Sequence, residues 1–230
     1  FDALRVHGRN YPFVHRHLDD PQRQQKPEGE AWRIAFIRTH TWKHAPEYAR
    51  QKMEAWVSEL SKWNIQVEEV ELPASFDASH SMHASIYNFS LAYYFQEESE
   101  NSEFVSPIMR ELIEAGRNVD GSTYHHALRA QESLCREMND LLAGYDALVS
   151  LSTAGSAPAR GTEEKPDPSL IWTLTHLPSV SAPAFTCPEG NPFGVQIAAR
   201  RFRDYRMLEF IQMLVDCGHL PAGPNPLLSI

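Results

Sequence analysis

Serine, lysine and histidine are the residue types through which this sequence could carry acyl-transfer or metal chemistry. A serine hydrolase needs a nucleophile beside a base, together with N–H groups that point at the developing oxyanion. The sequence has no G-x-S-x-G motif and no two adjacent glycines, and none of its five lysines lies in an apolar strand. Ser122 is best explained as part of a helix cap. We therefore assign no catalytic residue within this chain.

The eleven histidines raise the question of a metal site. His80 and His83 are three residues apart and His40 and His44 are four apart, so either pair could reach one ion if it were helical. No H-E-x-x-H motif accompanies them, and no glycine-rich phosphate loop is present. We expect structural histidines and no cofactor or metal, with a chelator-sensitive hydrolase as the alternative.

The composition narrows the class of protein. With 230 residues, 42% of them hydrophobic, the chain is long enough to form a single α/β domain, residues 1–230. A formal net charge of -9 disfavours nucleic acid and anionic membranes as partners. No apolar run is long enough to span a membrane, and the three scattered cysteines favour a reducing compartment, so we expect a cytoplasmic protein. The start at Phe1 predicts that the chain belongs to a longer polypeptide.

The elements that must position any site alternate between strands and helices. Short apolar runs predict strands, apolar residues at steps of three and four predict helices, and residues 11–30 have the composition of an exposed connector. In the last helix we expect Leu208, Ile211 and Val215 to face inward. The fold class that follows is α/β, a mixed β-sheet covered by helices on both faces. The expected strands are residues 33–38, 65–72, 147–151, 179–185 and 193–199, and the expected helices are residues 46–63, 76–95, 124–142 and 204–217.

A series of short motifs resembles the distal half of amidase signature enzymes, in the same order along the chain. The match is strongest in the last third, where a YD-L strand leads to an AP loop, a proline-rich strand and a G-P-GvQ strand. Weaker matches precede it at residues 33–36 and 116–129. The motifs are residues 145–149, 157–158, 172–183 and 190–197, followed by Asp204.

The resemblance implies a hydrolase of carboxylic amides or esters that uses a Ser, cis-Ser and Lys triad. Those residues belong to the family's first half, so the resemblance implies that the triad lies outside this chain and that the chain alone is inactive. The implied partners are the missing amino-terminal half and a small-molecule amide. The open strand edges of half a sheet also allow a homo-oligomer. The alternative is a non-catalytic subunit or binding module that retains the amidase fold.

The substrate contacts that this chain could contribute lie in the long loop after the third strand. Residues 152–168 combine Gly, Ser, Pro and charge, which is typical of a functional surface loop on a rigid scaffold. We expect Ser152, Thr153, Ala154 and Gly155 to bind substrate, together with Trp172, for which core packing is the competing interpretation.

Overall fold

A computed structural model describes residues 1–6, 11, 16–162 and 164–223 of the chain. Its strands form one five-stranded mixed sheet in the order β2-β1-β3-β5-β4. Each of the five predicted strands is confirmed, with bounds that differ by a few residues. The strands are β1 (Trp32–Phe36), β2 (Ile65–Glu69), β3 (Ala147–Leu151), β4 (Ser179–Thr186) and β5 (Pro192–Ala198).

The helices complete the predicted alternation. They are α1 (Pro21–Gln24), α2 (Glu47–Leu60), α3 (Ser79–Tyr94), α4 (Gln96–Glu100), α5 (Pro107–Arg117), α6 (Gly121–Leu141), α7 (Leu170–Leu174) and α8 (Asp204–Asp216). Short 3-10 turns lie at Trp42–His44, Ala74–Ala78, Ser102–Phe104 and Leu142–Gly144. The chain forms two compact units: a helical unit, Pro73–Glu137, and a sheet unit made of Phe1–Leu72 with the chain from Met138 onward.

The direction of each strand follows from its connection. β1 and β2 pair in parallel across α2, as expected for a strand, helix and strand unit, and β3 also pairs in parallel with β1. β4 and β5 form an antiparallel hairpin, and β5 pairs antiparallel with β3. The hairpin turn requires a left-handed residue, which Gly190 supplies with φ of 91°.

One face of the sheet packs against α2 and α8. Alternate strand residues such as Phe36, Val149 and Ile197 belong to one buried apolar cluster. From α8 the cluster takes Met207, Phe210 and Leu214. Leu208, Ile211 and Val215, which were predicted to face inward, are partly buried and pack against this cluster, each one position after a buried residue.

The opposite face of the sheet packs against α7. Ser150 lies between two residues of the first face, so its side chain is on the second face. The indole Nε1 of Trp172 donates a hydrogen bond to the Ser150 hydroxyl over 3.2 Å. Helices therefore lie on both faces of the mixed sheet, as predicted.

The segment predicted to be an exposed connector, residues 11–30, is exposed at most of its described residues and is anchored by two buried ones. Residues 12–15 of it lie outside the described residues, and Leu18 and Gln24 are buried. The Gln24 amide donates to the carbonyl oxygens of His17 (3.0 Å) and Phe202 (2.6 Å), and its own oxygen accepts from the Tyr205 N–H. These hydrogen bonds compensate for burying the polar side chain of Gln24 within a segment that is otherwise largely exposed.

A buried ion centre closes the amino end of β3. The Asp146 side chain is only 7% exposed. One of its oxygens accepts from the Lys26 ammonium (2.8 Å) and the Arg33 N–H (2.9 Å), and the other accepts from Arg206 Nη1 (2.9 Å). A second nitrogen of Arg206 donates to the Gln25 carbonyl. This centre fixes the connector and α8 to the start of β3.

The helical unit is held by close packing and by caps. A Cβ atom at Gly116 would lie 1.9 Å from the Asn88 carbonyl oxygen, so α5 and α3 approach each other as only a glycine permits. At the start of α6 the Asp120 carboxylate accepts from the backbone N–H groups of Ser122 (2.8 Å) and Thr123 (3.0 Å). A cap is present within the predicted residues 120–123, but its acceptor is Asp120, and the Ser122 hydroxyl donates to that carboxylate.

None of the described helices has the length and hydropathy needed to cross a lipid bilayer.

Candidate functional site

A cavity of about 660 Å³ lies in the sheet unit where the parallel strands end. The chain leaves β3 at Ser152 and enters α2 at Pro46 after β1, and both residues contribute to its wall. The antiparallel strand β5 begins at this same edge. Ligands of α/β proteins commonly bind beyond the carboxyl ends of parallel strands, and the volume is that of a typical small-molecule site.

The lining of the cavity comes from four segments of the sheet unit. The first turn of α2 and the loop after β3 form two walls, and the β4–β5 hairpin forms a third. The charged lining residues Glu164, Lys165 and Asp167 lie on a fourth segment. The lining residues are His44, Pro46, Tyr48, Ser152, Thr153, Ala154, Gly155, Ser156, Ala157, Pro158, Thr162, Glu164, Lys165, Asp167, Ser181, Pro183, Pro192, Phe193 and Gly194.

The structure places the five residues expected to contact substrate in two different environments. Ser152, Thr153, Ala154 and Gly155 all line the cavity. Trp172 does not line it, since its side chain is 0% exposed and lies among the core residues of α7. The competing interpretation of Trp172 as a core residue therefore fits its environment, and the substrate role of the other four stays a prediction.

Close packing between the hairpin and β3 shapes the floor of the cavity. A Cβ atom at Gly194 would lie 2.2 Å from the Ala182 carbonyl oxygen and 3.3 Å from the Ser152 hydroxyl. The β4–β5 register shifts between Ala182 and Phe185. Because only glycine fits at position 194, Ser152 can approach β5, and its N–H donates to the Gly194 carbonyl over 3.0 Å.

Two aromatic residues of the site were not anticipated from the sequence. Tyr48 lies in the first turn of α2, and its ring meets the Phe193 ring edge to face with centroids 5.4 Å apart. The Tyr48 hydroxyl also lies within hydrogen-bonding distance of Ser156. The buried face of α2 contains Ala49 and Met53, whereas Tyr48 lies beside that face and is half-buried. The apolar periodicity of the helix therefore does not predict a role for Tyr48 in the site.

The polar groups of the cavity suit the orientation of an uncharged ligand. Hydroxyl groups of Ser152, Thr153 and Ser156 lie among proline and aromatic rings, while Glu164 and Lys165 are exposed at the edge. Over the part of the chain that the structure describes, no three His, Cys, Asp or Glu side chains are arranged to hold a metal ion. The arrangement can bind and orient a small organic molecule by shape and by a few hydrogen bonds.

Comparisons with known proteins give the cavity its context. The chain is 31% identical over 113 residues to a glutamyl-tRNA(Gln) amidotransferase subunit from Cenarchaeum symbiosum, a match that covers 45% of this chain and 23% of the relative. A solved structure of an amidase superposes with a TM-score of 0.70 at 22% identity, covering 80% of this chain and 45% of that one.

An inhibitor-bound structure from a vestigial protein complex, related to the origins of an s-triazine catabolic enzyme, has a TM-score of 0.72 at 20% identity. The superposition covers 89% of this chain and 46% of the chain in that structure. The chain thus spans about half the length of these structural neighbours, and at these identities the likeness shows the fold. The Amidase family model matches residues 6–208, a range that includes every residue that lines the cavity. This chain belongs to the amidase family.

Proposed function

We propose that this chain is the carboxy-terminal part of an amidase signature hydrolase and forms one side of the substrate cavity for a carboxylic amide or ester. The observation that carries the proposal is the cavity of about 660 Å³ at the strand ends of a chain that belongs to the amidase family. The Ser152–Gly155 loop contributes hydroxyl groups and backbone polar groups, and Tyr48 with Phe193 contributes apolar surface. The substrate is a linear, uncharged small molecule held through its acyl or leaving group.

The groups that attack the amide come from a partner segment outside these 230 residues. No nucleophile and base pair is recognisable in the sequence, and the chain spans about half of its structural neighbours. The triad of the complete protein is the family's Ser, cis-Ser and Lys set, and the chain by itself does not hydrolyse amides. The three cysteines are scattered and form no disulfide among the described residues, which supports a reducing, cytoplasmic location.

The test compares the intact native protein with this chain alone. The native protein is weighed and sequenced ahead of Phe1, labelled with a fluorophosphonate, and assayed for ammonia release from a panel of neutral aliphatic and aromatic amides. We expect labelling and ammonia release from the intact protein only. Amide turnover by the 230-residue chain with a labelled serine would contradict the proposed location of the triad.

A cavity-filling variant tests the substrate role of the loop. Ala154→Leu adds volume inside the cavity, whereas Ala159→Leu adds the same volume at an exposed position of the same loop that does not line it. We expect the first to raise KM for the larger amides and the second to leave it unchanged. Equal KM values for both variants would remove Ala154 from the substrate site.

The second candidate function is a non-catalytic subunit that retains the amidase fold. The similarity to one component of an amidotransferase favours it, because such a component works together with other chains. It predicts that this chain binds amides with defined stoichiometry, yet neither reacts with the fluorophosphonate nor releases ammonia even when a matching amino-terminal half is supplied.

A further inference from the structure

We propose that Tyr48 is a positioning residue that latches the loop after β3 and thereby sets the shape of the substrate cavity. The inference rests on the proposed function for its consequence on substrates, and on geometry alone for the latch. The Tyr48 oxygen accepts a hydrogen bond from the Ser156 N–H over 3.0 Å and lies 3.1 Å from the Ser156 hydroxyl.

The latch joins distant parts of the chain at one point. Tyr48 and Ser156 are 108 residues apart, one in the first turn of α2 and the other in the loop. The helix is fixed by Ala49 and Met53, which are fully buried in the core of the sheet unit. The phenol therefore extends from a rigid element to an irregular one, which is how a fixed scaffold orders a functional loop.

The loop is shaped to receive this phenol. A Cβ atom at Gly155 would lie 2.8 Å from the Tyr48 hydroxyl oxygen and 3.1 Å from Cγ of Pro46. Only a residue without a side chain allows the backbone to come this close. A second bond within the loop, from the Thr153 hydroxyl to the Gly155 carbonyl (2.7 Å), holds the same turn.

The ring of Tyr48 fixes the other wall of the cavity. It packs edge to face on Phe193, the second residue of β5, which is buried and also lines the cavity. One side chain thus contacts the loop with its hydroxyl and the hairpin with its ring. The separation of these two walls, and with it the width available to an acyl group, depends on Tyr48.

The decisive variant is Tyr48→Phe, which keeps the ring on Phe193 and removes the hydroxyl. One lost hydrogen bond is worth about 0.5–1.5 kcal/mol. We expect amide exchange at 153–157 in the intact protein to accelerate about two- to ten-fold, while the melting temperature stays within a degree or two of wild type. Trypsin cleavage after exposed Arg160 should rise in parallel.

A second variant approaches the latch from the loop. Gly155→Ala places a methyl group against the phenol, and we expect the same acceleration of exchange. Tyr94→Phe is the matched control, since Tyr94 is 75% exposed and lies in the helical unit. Unchanged exchange at 153–157 in both latch variants would overturn the proposal.

Kinetics separate the latch from the proposed function. For any amide that the intact protein hydrolyses, Tyr48→Phe should raise KM about two- to ten-fold with little change in kcat, because the latch shapes binding and takes no part in bond breaking. Faster exchange without hydrolysis of any amide leaves the latch standing and contradicts the proposed function. Hydrolysis with wild-type exchange, or a fall in kcat at constant KM, contradicts the latch.

Discussion

The polar groups at the two ends of β3 differ in their burial and in their partners. At the amino end, Asp146 lies between Lys26 and Arg206, and all three side chains are less than 10% exposed. At the carboxyl end, the chain opens into a half-exposed loop beside a cavity of about 660 Å³. The same strand thus ends in a buried ion centre on one side and in the wall of an open cavity on the other.

The contrast has an energetic reason. A buried carboxylate between two cations is tolerated only when every charge has a partner, so removing one partner destabilises the fold. A half-exposed hydroxyl contact can be replaced by water, so its loss changes local order more than global stability. Variants at the amino end of β3 should therefore lower the free energy of unfolding, whereas variants at the carboxyl end should increase the mobility of the loop.

The largest expected effect is at the amino end. Asp146→Ala leaves the Lys26 and Arg206 charges buried without their shared anion, and we expect a loss of about 3–5 kcal/mol in the free energy of unfolding. Urea unfolding followed by tryptophan fluorescence measures it. Asp140→Ala is the matched control at an exposed position of α6, with an expected change within about 0.5 kcal/mol. Similar midpoints for the two variants would show that the ion centre contributes little.

An intermediate effect tests where Trp172 belongs. Trp172→Phe removes the indole N–H bonded to Ser150 and leaves a void in a fully buried site. We expect a loss of about 1–3 kcal/mol in the free energy of unfolding and no change in the binding of small amides. Thermal unfolding and a ligand titration measure the two quantities.

The control for this residue is Trp63→Phe, the same change at a side chain that is 50% exposed. It should alter stability by less than about 0.5 kcal/mol. If Trp172→Phe changes amide affinity while leaving stability intact, Trp172 belongs to the substrate site after all.

The sequence predicts most of the sheet unit because its signals are local. β3, β4 and β5 are short segments rich in apolar residues with Gly or Pro near their ends, and the position of the loop after β3 follows from its composition. The face of α8 is harder to predict, because apolar residues surround the buried stripe and the pattern allows two neighbouring choices. The polar composition around Gln24 and Lys26 predicts exposed side chains. Both are buried because they find hydrogen-bonding partners, and those partners lie more than 100 residues further along the chain.

Of the candidate site, the sequence predicted only the loop after β3, because the other contacts join distant parts of the chain. Ser152 to Gly155 were identified from composition and from the family resemblance. Tyr48 and Phe193 enter the cavity through contacts between residues more than 100 positions apart, and no periodicity in a single sequence encodes such a contact. Gly155 and Gly194 are the sequence signals for these contacts, because a glycine allows a neighbouring segment to approach its backbone closely. Which segment approaches is visible only in the folded chain.

The smallest expected effect comes from an exposed carboxylate that caps a helix. Hydrogen bonds from the Ser122 and Thr123 side chains and N–H groups hold the pKa of Asp120 well below its ordinary value of 3.8. A depressed pKa stabilises the folded state at pH values above 3.8, and that contribution is lost as the pH falls below it. Asp120→Asn keeps a capping oxygen and has no charge to lose, so it should be slightly less stable at neutral pH and less sensitive to acid.

Melting temperatures of Asp120→Asn and wild type, measured from pH 6 down to pH 3, test this sign. The gap between the two proteins should narrow as the pH falls, while Asp140→Asn at the other end of α6 should follow wild type throughout. A gap that widens in acid would mean that Asp120 is destabilised as a carboxylate in the folded chain. The same measurement gives a reference for the ion centre. An exposed carboxylate held only by hydrogen bonds contributes a small stability that is lost in acid. A much larger loss of stability in Asp146→Ala must therefore come from the burial of the cations around Asp146.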